Sequence, residues 1–251
     1  MTIRLSIRRT ILWLAALICA FITIGIAMPL AAHLEGRDVA RATFHVLNVR
    51  HEGSIPTLFS SALLAIAATL LFMIAQIERE RGGRDARYWF VLALVFTYLS
   101  IDETAQLHET LNRFHIDDVG LFAVFDRFPW VWFYGPLVLL FAIAYGRFLL
   151  RLPRDTAIVF VVSGASFVGG ALGIEIIGAH QIVVEHVTRD SLHYVVRGVL
   201  KELFMYSGVT LFIWCLLHRL RDYGTAIRLQ FGPAAAPAGD RHGAAIATTD
   251  P

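Results

Sequence analysis

Charged residues are scarce in this chain. They make up 17% of its 251 residues, whereas 57% are hydrophobic; a typical soluble protein has roughly 25% charged residues. The mean hydropathy of +0.61 is too high for a water-soluble domain and excludes a disordered chain. The formal net charge of +2 is too small to indicate nucleic acid or another polyanion as a partner. The composition therefore predicts a membrane protein.

Cysteine is also scarce, because the chain contains only Cys19 and Cys215. Both lie in apolar stretches, and neither has the spacing of a CxxC or Cys/His motif. This excludes a secreted disulfide scaffold and predicts that both residues serve as small packing groups.

Long apolar segments are abundant. A bilayer core needs ~20 apolar residues per helix, and six segments have about this length: 11–32, 55–77, 88–109, 130–150, 157–179 and 194–217. The first is longer than the apolar part of a signal peptide, roughly 7–15 residues, so we interpret it as a retained span. We predict an all-α, polytopic membrane helix bundle of about six transmembrane helices, in a single transmembrane domain over 1–228. Residues 229–251 are rich in Ala, Gly and Pro and are predicted to be a disordered cytoplasmic tail.

The distribution of arginine predicts the orientation. With the N-terminus inside, the inner segments hold 13 arginines near the membrane and the outer segments hold 6. Because basic residues are retained on the cytoplasmic side, both termini are predicted to be cytoplasmic, with the lipid bilayer as the main partner.

The fifth segment carries small residues at i, i+4. The pairs are Ser166 with Gly170 and Gly169 with Gly173. Such pairs let membrane helices approach closely, so we expect this segment to pack tightly against a neighbour.

Ionisable residues inside the apolar segments are the most unusual feature of the sequence. Each costs about 2.5–3.5 kcal/mol on insertion scales. Asp102, Glu175 and Glu202 come from three different segments and fall at similar depth in the outer half of the bilayer, by the rise per residue of a helix. We therefore expect these three carboxylates to point into the bundle and to meet there.

Helical phase predicts which groups of the third segment face the centre. Asp102, Gln106 and Glu109 are spaced i, i+4, i+7 and share one face, whereas Glu103 is rotated by ~100° from Asp102. We expect Asp102 and Glu109 to face the centre, with Glu103 or His108 added by local unwinding.

These residues permit three functions. Carboxylates beside histidines suit a divalent metal such as Zn, Fe or Mn, and they also suit a proton relay. The third possibility is a structural charge cluster in which the acids pair with Arg197 and Lys201. The candidate assignments are catalytic Asp102, Glu109, Glu175 and Glu202; substrate-binding Arg197 and Lys201; and metal-binding Asp102, His108, Glu109, Glu175 and Glu202.

Three stretches carry a resemblance to a known family: GSIPTLFSSALLAIAATLLFMIA from Gly53, YLSIDETAQLHE from Tyr98 and KELFMYSGVTLFIWCLL from Lys201. They resemble an uncharacterised family of bacterial multi-pass inner-membrane proteins with an LSxDExxxxHE-like stretch at the end of the third span. The resemblance implies polar site positions at Asp102, Glu103, His108, Glu109, Glu175 and Glu202. Lys201 stands where the pattern has a second acid, and the family brings no assigned reaction.

A more distant likeness, at the level of the fold, is to the membrane hydrolase superfamily of alkaline ceramidases and progestin/adiponectin receptors. It implies that Ser100 and Asp102 serve as zinc ligands, although the paired late histidines of that superfamily are missing here. The first hypothesis is accordingly a metal-dependent hydrolase acting on a lipid-type or small-molecule substrate at the outer leaflet. The alternatives are a proton-coupled transporter or sensor, and a structural or assembly subunit without catalysis.

Overall fold

The computed structural model describes residues 6–35, 45–48, 53–110, 130–183 and 191–224. In these residues the regular structure is entirely helical, which confirms the all-α class. The helices are α1 Ile7–Leu34, α2 Ile55–Glu80, α3 Ala86–Ala105, α4 Leu107–Thr110, α5 Trp130–Leu149, α6 Arg154–Val168, α7 Glu175–Val183 and α8 Leu192–Asp222, with a short 3₁₀ turn at His45–Leu47 and a π-helix at Gly169–Ile174 between α6 and α7. The predicted tail, 229–251, lies outside the described residues.

Local sequence explains where two of the long helices begin. Ser54 precedes α2, and its hydroxyl accepts a hydrogen bond from the Thr57 N–H at 3.3 Å, with Pro56 in the first turn. Ser191 does the same for α8 by accepting from the Tyr194 N–H at 3.2 Å. Both serines satisfy an amide that the helix itself leaves without a partner.

Helices occupy all six apolar segments of the sequence, but they differ in their capacity to span a membrane. In the described part of the chain, four stretches are long and apolar enough to cross a bilayer: Ile7–Leu34, Ile55–Glu80, Arg154–Gly178 and Leu192–Asp222. A fifth apolar stretch, Phe133–Leu149, is shorter. α3 ends in the acids Asp102 and Glu103, which lower its hydropathy. Six spans and the location of the termini stay predictions.

α8 is the central helix, and it packs against α1, α2, α6 and the π-helix. Its contact with the fifth segment depends on glycine. A Cβ on Gly170 would lie 2.9 Å from the Lys201 carbonyl oxygen, whereas one on Gly169 or Gly173 would meet nothing within 4 Å. The Ser166 hydroxyl donates to the Phe204 carbonyl at 2.8 Å. Only the first of the two predicted small pairs therefore contacts α8.

α2 and α3 are joined by serines. Ser61 Oγ donates to the Ser100 carbonyl at 2.7 Å, and Ser100 Oγ donates to the Ser61 carbonyl at 2.9 Å. The reciprocal pair lets polar side chains share a bond inside an apolar bundle. It also places the end of α3, with its acids, beside the first turns of α2.

Candidate functional site

Asp102 lies in the last turn of α3 and binds the helix that follows. Gln106 adopts the left-handed conformation, with φ 57° and ψ 39°, which breaks the predicted continuous helix. The carboxylate of Asp102 accepts a hydrogen bond from the His108 N–H at 2.8 Å, and its second oxygen lies 3.1 Å from His108 Nδ1. Asp102 is buried, so one carboxylate satisfies both the start of α4 and its histidine ring.

Aromatic residues cover this pair. The ring of Trp130, at the start of α5, meets the His108 ring edge-on with centroids 5.3 Å apart. The Tyr134 hydroxyl lies 2.5 Å from the Tyr98 hydroxyl. The Asp102–His108 pair therefore lies under aromatic rings where α3 and α5 approach each other.

Lys201 on α8 is the centre of a second group of charges. Its Nζ donates to Glu175 Oε1 at 3.0 Å and lies 3.8 Å from Glu202 Oε1. Glu175 is the first residue after the π-helix, whose wider turn changes the phase of the following helix. Two of the three carboxylates that were predicted to meet, those of Glu175 and Glu202, thus approach the same ammonium group, whereas Asp102 pairs with His108.

Glu103 is the acid of α3 that joins this group. Its carboxylate interacts electrostatically with Lys201 and hydrogen-bonds Ser60 of α2. Glu103 follows Ser100 by three residues, so both lie on the side of α3 that packs against α2. The prediction had placed Asp102 and Glu109 at the centre and Glu103 as an addition. Instead, Asp102 turns to His108 because the chain unwinds at Gln106.

Tyr206 lies one turn beyond Glu202 on α8. The residue is 1% exposed, and its hydroxyl donates to the Pro56 carbonyl at 3.3 Å. The same hydroxyl lies within hydrogen-bonding reach of Glu202. We call Lys201, Glu103, Glu175, Glu202 and Tyr206 the lysine cluster; the i, i+4 spacing of Glu202 and Tyr206 is visible in the sequence, but nothing there pairs Tyr206 with α2.

Arg197 lies one turn before Lys201 on α8. Its guanidinium carbon is 4.4 Å from the centroid of the Tyr194 ring. Its Nη1 atom is buried and has no hydrogen-bond partner among the described residues. Arg197 lines a cavity of about 70 Å³ together with three members of the lysine cluster, Lys201, Glu175 and Glu202.

The proposed metal ligands that the structure describes fall into two separate groups, Asp102 with His108 and Glu175 with Glu202. The described residues hold no group of three or more His, Cys, Asp or Glu side chains that would bind a metal ion. Asp102 pairs with His108, whereas Glu175 and Glu202 pair with Lys201. The side chain of Glu109 lies outside the described residues. Metal binding and catalysis by these residues stay predictions.

The described residues define a class: an all-helical protein with four to five apolar helices and a partly buried charged cluster between them. The chain belongs to the family described as Domain of unknown function (DUF8692), whose model matches residues 5–220. The match extends from the first helix to the last turn of α8 and so contains all the residues of the site. No significant match is found among curated proteins or among solved structures. The likeness to ceramidases and receptors and a bacterial origin therefore stay predictions.

Proposed function

We propose that the chain is a six-span protein of a bacterial inner membrane, with both termini in the cytoplasm, and that it exchanges protons at the lysine cluster. Its surface supports the first part. Only 11% of the most apolar stretch of α1 is buried inside the molecule, and Trp13, Leu140 and Ile143 are 73%, 63% and 68% exposed. So much apolar surface is stable in lipid but not in water.

The single observation that carries the second part is the charge balance around Lys201. Three carboxylates, those of Glu103, Glu175 and Glu202, act on this one ammonium group. Arg197 lines the same cavity as Lys201, Glu175 and Glu202, and with Glu103 the group has two positive and three negative side chains. An uncompensated charge in a medium of low dielectric is costly, and a shared proton removes it. The cluster is therefore suited to take up and release a proton.

The Asp102–His108 pair supplies the route. Both groups interact electrostatically with Glu103, and the His108 side chain is 21% exposed. Histidine changes its charge near neutral pH. We infer that protons pass from the predicted outer side through His108 and Asp102 to Glu103 and the lysine cluster. Intramembrane chains of this composition occur in proton-coupled transporters and sensors.

The geometry favours this function over a metal-dependent hydrolase. The Lys201 ammonium lies among the acids, at the position that a divalent cation would occupy between Glu175 and Glu202. A third function, the structural or assembly subunit, needs the same ion pairs but no proton exchange. The experiment below separates it from the proposal.

The test is infrared difference spectroscopy of the full chain in lipid nanodiscs between about pH 5 and about pH 8. We expect a buried protonated-carboxyl band that changes with pH and is lost or shifted in Glu103→Gln, Glu175→Gln or Glu202→Gln. Glu80→Gln is the matched control, because Glu80 is exposed at the other end of α2. If none of the three cluster variants alters the band, while circular dichroism shows that they fold, the cluster is structural.

A further inference from the structure

The Arg197 side chain is held in place but incompletely bonded. Tyr194 lies under its guanidinium group. The Nη1 atom is shielded from solvent without an acceptor among the described residues. A buried donor without a partner costs free energy, more so when it is charged. This atom therefore provides a place for an acceptor that the described residues do not supply.

Gly178 makes room for this guanidinium group. A Cβ at position 178 would lie 1.6 Å from Arg197 Nη1 and 2.1 Å from its Cζ. The side chain therefore lies directly against the backbone of α7, and only glycine leaves that space. The position of the unpartnered nitrogen is fixed by the fold.

The cavity beside Arg197 is lined by positively and negatively charged side chains. Arg197 and Lys201 line it together with Glu175 and Glu202. The two acids approach Lys201, at 3.0 and 3.8 Å, and no ion pair joins them to Arg197 in the described part of the chain. One side of the cavity therefore lacks a negative group, and the other side has more carboxylates than its single ammonium compensates.

A ligand with an anion and an ammonium group a few bonds apart satisfies both sides. Its phosphate or carboxylate would accept from the Arg197 guanidinium group, an interaction that guanidinium groups favour. Its ammonium would lie near Glu175 and Glu202. The volume of about 70 Å³ limits the ligand to a small one, such as an amino-acid zwitterion or the end of a lipid headgroup.

We propose that this cavity binds a zwitterionic aminoalkyl phosphate or amino-acid group. The source is either the headgroup of phosphatidylethanolamine or a free small molecule of the same chemistry. Arg197 is the sixth residue of α8, ~8 Å from the start of that helix, a depth at which headgroups of the outer leaflet are accessible in the proposed topology. The proposal does not depend on proton exchange, since the ligand ammonium compensates the acids in either case.

The test uses the full purified chain after delipidation. Calorimetry compares phosphoethanolamine and glycine with the half-ligands inorganic phosphate and ethanolamine, and native mass spectrometry measures retention of phosphatidylethanolamine against phosphatidylglycerol. We expect the complete zwitterion to bind more tightly than either half. Arg197→Gln should weaken binding about ten- to a hundredfold, because a charged hydrogen bond is lost.

Two further variants make the result specific. Gly178→Ala keeps the charge of Arg197 but displaces its guanidinium group, so it should also weaken binding even if Arg197→Gln folds poorly. Arg84→Gln removes an exposed arginine elsewhere and should have no effect. If the protein binds phosphoethanolamine, the ligand is a free small molecule. If it selectively retains phosphatidylethanolamine, the ligand is a lipid headgroup. The proposal is wrong if inorganic phosphate alone binds as tightly as phosphoethanolamine, or if binding is independent of both Arg197 and Gly178.

Discussion

Single glycines set how closely the helices of the fifth and sixth apolar segments approach. Gly208 on α8 makes the closest approach to the backbone of a neighbouring helix: a Cβ there would lie 2.8 Å from both the Phe167 nitrogen and the Ser163 carbonyl oxygen. Both neighbours are backbone atoms and cannot rotate away. One methyl group at this position must therefore push two helices apart.

We predict that Gly208→Ala lowers the free energy of unfolding by about 1–3 kcal/mol, the usual cost of overpacking. Gly164→Ala is the control, because a Cβ at that helical position meets nothing within 4 Å. There, alanine should be neutral or stabilise by up to ~1 kcal/mol through its helix propensity. Thermal unfolding of both variants in the same detergent measures the difference. Equal melting temperatures would contradict the close contact at Gly208.

At the scale of elements, the break between α3 and α4 decides what the site contains. Gln106 has a positive φ of 57°, a conformation that is costly for a residue with a Cβ. The break turns the His108 amide toward Asp102 and leaves Glu103 to the lysine cluster. Without it, Asp102 and Glu109 would share one face, as the periodicity of the sequence indicates.

We predict opposite effects of two substitutions at this break. Gln106→Gly should leave stability unchanged or raise it by up to ~1 kcal/mol, since glycine adopts positive φ freely. Gln106→Val should lower stability by about 1–3 kcal/mol, because a β-branched residue is strained there. Chemical denaturation in nanodiscs provides the measurement. If valine is tolerated as well as glycine, α3 continues unbroken into α4.

This break also marks the limit of prediction from the sequence. The helices follow from apolar runs of sufficient length, and the meeting of Glu175 with Glu202 follows from depth along those helices. The αL residue has no such pattern, because Gln106 is neither glycine nor asparagine. The sequence pattern does not indicate the π-helix before Glu175 either, since its register depends on how Gly170 packs on α8. Glu103 and Tyr206 joined the cluster through contacts with α2, and spacing along one helix does not predict contacts with another.

At the scale of the whole molecule, arginines are concentrated at one end of the bundle, where their side chains contact residues of other elements. Tyr223 lies between the guanidinium groups of Arg81 and Arg219, whose carbons are 4.7 and 4.8 Å from the ring centroid. Its hydroxyl donates to Glu78, and burial together with this hydrogen bond raises the pKa of Tyr223 to about 12. At the same end Arg151 donates to Asp85, which raises the pKa of the arginine.

The exposed arginines of this end determine which side of the membrane it faces. Between the end of α2 and the end of α8, they are Arg79, Arg81, Arg84, Arg87, Arg147, Arg151, Arg154 and Arg221. Translocation of so many basic groups is disfavoured, so this end should lie in the cytoplasm. Glu35, exposed at the end of α1, is separated from Arg84 by α2 and should lie outside.

We predict that a cysteine at position 84 is protected from a membrane-impermeant maleimide in intact cells and reacts only after permeabilisation. A cysteine at position 35 should react in both conditions. The variants are Arg84→Cys and Glu35→Cys, each made after Cys19→Ala and Cys215→Ala so that only one thiol is present. If the labelling pattern is reversed, the orientation is opposite to the one predicted, but α2 still crosses the membrane. Equal labelling of both positions in intact cells would mean that α2 does not cross the membrane, and a proton route from the outer side to the lysine cluster would then have no direction.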